Sequence, residues 1–534
     1  MAMPGSEHAR ALLAVAAVVV AARAVEGCGG KDLTGTSRDG GADGTVAIGD
    51  DGASTGGGAE TGASDGSGGV VGSSSGGPLP SGSCTGDAGQ PSRCYVDPSC
   101  PTGSPTTLKG TAFDPAGKNP LPNAIVYIPN STSALPPIAT GTNVCTSCAT
   151  TIGDYASAAI TASDGSFVLT GVPALANLPL VVQIGKWRRR ITVPEVADCA
   201  TTTLPDSGPT QLRLPRSQKE GDMPQMAILT GGADDLGCFL TRVGVDPSEY
   251  SAPHAGGRVD VYQGLATAGS FTGQGGGLSV YGPGLSGGVA GDCTTTSCPL
   301  WSSTRSLDAY DLVFLGCEGA AYDQAPDGGD AGDAVVANVT PAAKQAMHDW
   351  LGQGGRLFAA HDQSAWFRNG PLDFQETAMW RAPSSSAAAC PHCALDDSFV
   401  GGQGLRQWVQ AIGLVPDGGT QLPLSNVTDS VSTVNLATTI RWVYDQSGGD
   451  TKVLSFATPV GGIDAGITEG AREYCGKAVF FDLHAGGPPE GDVPGSCSAA
   501  DLAPDEKLLE YQLFDESICV HTEVLPPPPG ARGM

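Results

Sequence analysis

Positive charge is scarce in this sequence. Lysine and arginine number 28 against 55 aspartates and glutamates, and the net charge is −27. Binding nucleic acid through its phosphates needs a basic surface, so that function class is excluded. The balance suits a soluble, exposed protein. Long apolar runs are missing too. After residue 22 no segment stays apolar for the roughly 20 residues that a membrane-spanning helix needs. Residues 29–90 lack large apolar side chains almost entirely and consist mainly of Gly, Ser, Thr and Asp. Such a stretch buries too little surface to offset chain entropy, and it reads as a flexible tether.

The chain has 534 residues, too many for one ordinary core, so at least two domains are expected. Sixteen dispersed cysteines fit an oxidising compartment better than a reducing one. The N-terminus agrees. Residues 11–22, ALLAVAAVVVAA, follow Arg10 and have the size of a signal-peptide core. The run leads to Val25-Glu26-Gly27-Cys28-Gly29-Gly30. This pattern resembles a bacterial lipoprotein signal, in which the cysteine after a small residue is lipidated. The resemblance implies lipidation at Cys28, with plain secretion as the alternative. Contact with a membrane is then through the lipid alone. The expected divisions are a signal segment (1–28), a tether (29–100), a β domain (101–218), an α/β domain (224–521) and a Pro-rich tail (522–534).

Residues 106–215 have the alternation of strands. LKGTAFD, AIVYIP and LPLVVQIGKWRRRITVP read as strands separated by Pro, Gly and Asn. Asp164-Gly165 between two β-rich runs has the composition of a tight hairpin turn. The order GTAFD, PLPNAIV, DGSFVLTGVP resembles the carboxypeptidase regulatory-like domains, small transthyretin-like β-sandwiches found as non-catalytic modules of secreted proteins. That resemblance implies a folded spacer or a module contacting glycan or protein. The only basic cluster, Lys186-Trp187-Arg188-Arg189-Arg190, alternates in a strand. Trp187, Arg189 and Ile191 fall on one face, and Lys186, Arg188 and Arg190 on the other, expected to be solvated. An anion-binding patch is the less favoured reading.

From residue 224 the period changes. MAILTGG is a short apolar strand ending in glycines, and Leu236, Phe239, Leu240 and Val243 then repeat at helical spacing. RVDVY, SLDAYDLVFLGCEG (306–319), RLFAAHD, TIRWVYD, KVLSFATPV and GKAVFFDLH are further strands. The helix PAAKQAMHDWLGQ presents Ala343, Ala346, Met347, Trp350 and Leu351 on one face, and APDEKLLEYQLFDESICV is a closing helix. Alternating β and α elements with apolar strands predict a mostly parallel sheet covered on both faces, a three-layer, flavodoxin-like α/β arrangement. The full fold class is therefore a β-sandwich followed by this α/β domain, behind a disordered tether.

The motifs YDLVFLGCEG, GQGGRLFAAHD and GKAVFFDLHAG are similar to the class I glutamine amidotransferase-like fold, and more closely to its ThuA-like branch. With the lipoprotein leader and tether, the layout is similar to large surface lipoproteins of Gram-negative bacteria. It implies the outer membrane or extracellular surface, or secretion. In amidotransferases the strand-to-helix corner holds a cysteine nucleophile. Here His361 stands at that corner and cannot form a thioester. Glutamine hydrolysis is excluded on that ground.

His361 and His484 each end a predicted strand, so the fold brings both to the carboxyl edge of the sheet, where ligands bind in open α/β sheets. Asp362 and Asp482 add carboxylates. Two histidines and a carboxylate (His361, His484, Asp362) form a candidate set for a divalent metal or a polar ligand, and the same residues are the candidates for acid–base catalysis. The bland reading is two histidines bonded to loop backbone. Cys317, in GCEG, lacks the first glycine of a nucleophile elbow. Lipidation of Cys28 would leave fifteen cysteines (16 − 1), an odd number, and Cys317 is the candidate for a thiol outside any intramolecular disulfide. Disulfide candidates are Cys84, Cys94, Cys100, Cys145, Cys148, Cys199, Cys293, Cys298, Cys390, Cys393, Cys475 and Cys497, with connectivity unassigned. Cys390-Pro391-His392-Cys393 has a redox-motif spacing but follows no strand and starts no helical pattern, so a stapled loop is expected. GAREYCGK lacks phosphate-loop spacing. The expected function is a non-catalytic surface protein binding a glycan, a small polar ligand or a partner. The alternative is a metal- or histidine-dependent hydrolase or isomerase acting on a carbohydrate.

Overall fold

The computed structural model describes residues 100–517, apart from 102–103, 130–133, 142–154, 235, 265–290, 294–296, 318–338, 383–386, 465–471, 486–496 and 498. The signal segment with Cys28, residues 29–99 of the tether, Cys84, Cys94, Cys145, Cys148 and the 522–534 tail lie outside these residues. The described part is mostly sheet, with several sheets and few helices.

The N-terminal strands are β1 (Thr107–Phe113), β2 (Ile125–Pro129), β3 (Tyr155–Ile160), β4 (Ser166–Thr170), β5 (Ala176–Ile184), β6 (Trp187–Glu195) and β7 (Thr201–Thr203). They form two sheets. One has the order β3-β2-β5-β6 plus Gly221–Asp222, the other β4-β1-β7 plus Leu212–Arg213. The expected hairpin at Asp164-Gly165 is corrected here. Gly165 does take the positive φ of such a turn, 72°. However, β3 pairs with β2, and β4 crosses to the other sheet to pair with β1. A Cβ on Gly165 would lie 2.7 Å from the Ala112 carbonyl, so the corner packs tightly against β1.

The basic cluster is also corrected. Arg188 is buried, not solvated: its Nε donates to Asp222 Oδ2 at 2.8 Å and its guanidinium also reaches the Pro136 carbonyl. Lys186 pairs with Asp311. Trp187 is fully buried and meets the Phe514 ring edge-on at 6.1 Å. Ion pairs and core packing thus absorb much of the cluster.

A ten-stranded sheet follows. Its main strands are β8 (Met226–Leu229), β9 (Val259–Gln263), β10 (Leu312–Leu315), β11 (Arg356–Ala360), β12 (Thr439–Asp445), β13 (Thr451–Thr458) and β14 (Gly476–Phe481). The parallel part runs β9-β8-β10-β11-β14. Numbered in chain order, its strands lie 2-1-3-4-5. Beyond β14, β13, β12 and the short strand Cys393–Leu395 pair antiparallel. The expected strand at 306–319 is shorter, Leu312–Leu315, because Thr304–Leu307 forms a helical turn capped by Ser303.

Strand alternation divides the sheet between two cores. Met226, Ile228, Phe314, Phe358, Val479 and Phe481 join one cluster, while Ala227, Leu229, Leu315, Leu357, Ala478 and Phe480 join the other. Both faces are therefore buried, which is why these strands read as continuous apolar runs. The first core is shared with helices α1 (Leu236–Val243), α3 (Val400–Ala411) and α4 (Pro504–Ser517), and with the N-terminal strands. The second is shared with α2 (Pro341–Gly352). Helix α2 starts at Thr340, whose side chain accepts from Ala343 N, with Pro341 at the first turn. It buries the five apolar residues expected of it. Gly354, at φ 114°, turns the chain from α2 into β11. That strand delivers His361.

Candidate metal centre

Four carboxyl-end loops of the parallel strands meet at one place. Asp234 follows β8, Cys317 follows β10, His361 and Asp362 follow β11, and His484 follows β14. Adjacent parallel strands end at one level, so residues a few positions past each end become neighbours.

His361 is the corner itself. Its φ is 39°, in the left-handed region, and a helical turn begins immediately. A non-glycine residue held there costs about 1–3 kcal/mol, which the packed surroundings must offset. Gln363 contributes. It is fully buried, its Nε2 donates to the Gly316 carbonyl at 2.8 Å, and its Oε1 accepts from Trp366 Nε1 at 2.9 Å. This ties the corner to the end of β10.

Cys317 is a buried thiol outside the disulfides. Its Sγ lies 3.3 Å from His361 Nδ1 and 3.4 Å from Asp362 Oδ2. The rings of His361 and His484 meet edge-on with centroids 4.9 Å apart. One ligand atom from each of Cys317, His361 and His484 lies within 4.8 Å of the others. His361 Nε2 is buried and has no hydrogen-bond partner among the described residues.

Asp234 holds the group together. It is buried, and it accepts from Cys317 N at 2.7 Å and from Ala485 N at 3.0 Å. The same carboxylate faces His484 Nδ1 at 3.3 Å, which leaves His484 Nε2 as the outward nitrogen. Gly231 permits the close approach of two loops. A Cβ there would lie 2.3 Å from the Cys317 carbonyl oxygen.

Charges around His484 set its proton affinity. Burial lowers its pKa, but the Asp234 hydrogen bond and charge, then Asp362 and Asp482, raise it further, and the net shift is above the ordinary 6.5. A histidine with a raised folded pKa adds stability below the unfolded value, and that contribution is lost as pH rises through the folded one. Metal binding runs the other way, because the ring must be neutral to ligate. Affinity for added zinc at this centre is expected to fall as pH drops through this raised pKa. Zinc titration between pH 5 and 8 checks this.

The expected pair is thus brought together, and Asp362 joins through Cys317. Asp482 is not at the open edge. It is fully buried, accepting from Thr428 Oγ1 at 2.5 Å and Ser430 N at 2.6 Å. Burial holds its pKa above the usual carboxylate range despite those bonds. Strand β14 stops at Phe481, so the regular alternation that would put Asp482 and His484 on one face does not extend to them. Asp234 was not anticipated. The only sequence signal for it is its place just after a strand ending in Gly231-Gly232.

Elsewhere the cysteines form Cys100–Cys199, Cys238–Cys497, Cys293–Cys298 and Cys390–Cys393 disulfides. Cys475 is also disulfide-bonded. Cys390-Pro391-His392-Cys393 is stapled by a disulfide, as expected, but it does follow a strand, Ala388–Cys390, and leads into another, Cys393–Leu395; Cys238 was not among the anticipated partners. Among the described residues, no helix is long and apolar enough to cross a membrane.

No protein family model matches this chain, and no curated protein matches it. Among solved structures, a cytoplasmic protein of Salmonella typhimurium, STM3548, is similar at 10% identity and a TM-score of 0.25, over 54% of this chain and 98% of that one.

Proposed function

We propose that this chain is a binding protein of the cell envelope or extracellular space that holds a zinc-type divalent metal ion at the Cys317–His361–His484 centre. The observation that carries the reading is the convergence of a thiol and two imidazoles from three different strand ends. Zinc bound tetrahedrally by sulfur and nitrogen sets those two atoms about 3.5 Å apart. The Sγ to Nδ1 separation of 3.3 Å is close to that. Asp234 on His484 is the carboxylate that typically orients a ligating imidazole.

The location rests on the disulfides, the cysteine content and the lipoprotein-like leader. On this reading the two N-terminal sheets are a regulatory-like sandwich acting as spacer. The 2-1-3-4-5 order supports a flavodoxin-like, amidotransferase-like domain in which His361 occupies the nucleophile corner. A second reading, a hydrolase or isomerase acting on a carbohydrate, draws on one feature: three protein ligands leave a fourth position for water or substrate.

Metal content of the purified full chain tests the proposal. About one zinc per chain is expected, lost in both Cys317→Ser and His484→Ala. A wild-type protein that neither carries zinc nor takes it up on titration would overturn it. Retention of zinc by both variants would move the ion elsewhere.

A further inference from the structure

The opposite, amino edge of the parallel strands carries a cavity. It has a volume of about 690 Å³. Gln225 precedes β8, Arg258 precedes β9 and Asp308 precedes β10, and all three line it. Arg305 and His254 line it from more exposed positions.

Three cationic or protonatable side chains in one cavity are unusual in a chain of net charge −27. His254 faces Asp260 at 3.6 Å and Arg305 acts on Asp308, but Arg258 has no carboxylate partner for its side chain among the described residues. Among the described residues, the Arg258 side chain meets only Gln225 Oε1, at 3.5 Å, and its Nε is buried with no hydrogen-bond partner. The nearby Glu249 carboxylate is taken up by Gln218 and by the backbone N–H of Arg258. Asp308 keeps Oδ1 buried and unpartnered, and burial raises its pKa while Arg305 works against the rise. Arg258 and Asp308 thus bring a guanidinium without a carboxylate partner and an incompletely satisfied carboxylate to the wall of one cavity. The amide nitrogens of Gln218 and Gln225 are turned to the Gly256 and Gly257 carbonyls, which fixes the wall.

We propose that this cavity is a binding site for a small acidic saccharide, with its carboxylate on Arg258 and Arg305 and a hydroxyl donating to Asp308. Arginine matches a carboxylate with two parallel bonds, and a buried carboxylate oxygen without a donor is satisfied by a sugar hydroxyl. A simple anion would meet the arginines and leave Asp308 repelled and unsatisfied. A neutral sugar would do the reverse. The site is independent of the metal centre.

Calorimetric titration of the full chain with D-glucuronate, D-glucose and acetate tests this. Glucuronate is expected to bind, more weakly at high salt. Arg258→Gln is expected to lower its affinity at least tenfold, and Asp308→Asn to lower it while strengthening any binding of acetate, whose charge Asp308 repels. His361→Ala is expected to change nothing here. No glucuronate binding by folded protein, or unchanged affinity in an Arg258→Gln, Arg305→Gln double variant, would overturn the proposal. Equal binding of glucose would remove the acidic requirement, and equal binding of acetate would remove the saccharide.

Discussion

An Asp234→Ala chain is expected to hold zinc about 10–100-fold more weakly than the wild type, although Asp234 ligates nothing itself. Its carboxylate is the element common to three loops. It bonds the backbone of Cys317 after β10, the backbone of Ala485 after β14, and the imidazole of His484. Removing it frees the imidazole to rotate and to exchange tautomers, and leaves two buried N–H groups without their acceptor. Asp234→Asn separates these effects. Its amide oxygen keeps a backbone acceptor, but the negative charge that favours the ligating geometry is gone. Competition titration against a chromophoric zinc chelator measures the loss. An affinity within twofold of wild type for Asp234→Ala would show that His484 is not oriented by this carboxylate.

The second large effect is structural. Arg242, at the end of α1, pairs with Glu506, in the first turn of α4, and the two side chains are only 8% and 3% exposed. Glu506 also accepts from Ala503 N at 2.8 Å. Breaking a buried pair by removing one partner leaves a desolvated charge and costs about 3–5 kcal/mol. Arg242→Ala is therefore expected to lower the midpoint of urea unfolding sharply. The neighbouring Asp505 carboxyl, pushed up to about 6 by burial, offers Glu506 no compensation. Replacing both partners together with Met and Leu is expected to be close to neutral, because no orphaned charge remains. A loss below about 1 kcal/mol for Arg242→Ala would place the pair in the class of exposed, screened ion pairs.

Several strands and helix α2 of the C-terminal half were legible because local patterns there agree with the tertiary structure. The spacing of Ala343, Ala346, Met347, Trp350 and Leu351 gave the buried face of α2, and runs such as RLFAAHD gave strands buried on both faces. His361 and His484 were legible as a pair because each ends a strand. Cys317 was harder. It was read as a thiol outside the disulfides in a context one glycine short of a nucleophile elbow, and its place beside His361 comes from β10 and β11 being adjacent in the sheet. Asp234 illustrates the limit more sharply. A carboxylate after a glycine pair has many ordinary roles, and only the meeting of residues 250 positions apart assigns this one. The Asp164-Gly165 turn failed for a related reason. Turn chemistry fixes a local φ but does not say which sheet the next strand joins. Arg188 failed because strand alternation says which residues share a face, not what another segment lays over that face.

The margins of the ten-stranded sheet bear on how the protein behaves when crowded. A long, bare outer strand invites another chain to extend the sheet, the first step toward fibrils. Here the outer side of β9 is covered by two fragments of two residues each, Tyr250–Ser251 and Gly291–Asp292, which between them meet Val259, Asp260, Tyr262 and Gln263. The far margin is the three-residue Cys393–Leu395, closed at its start by a disulfide. Among the described residues, neither margin offers enough continuous backbone to template a neighbour. A sheet this wide and apolar is thereby kept from growing by addition at either side.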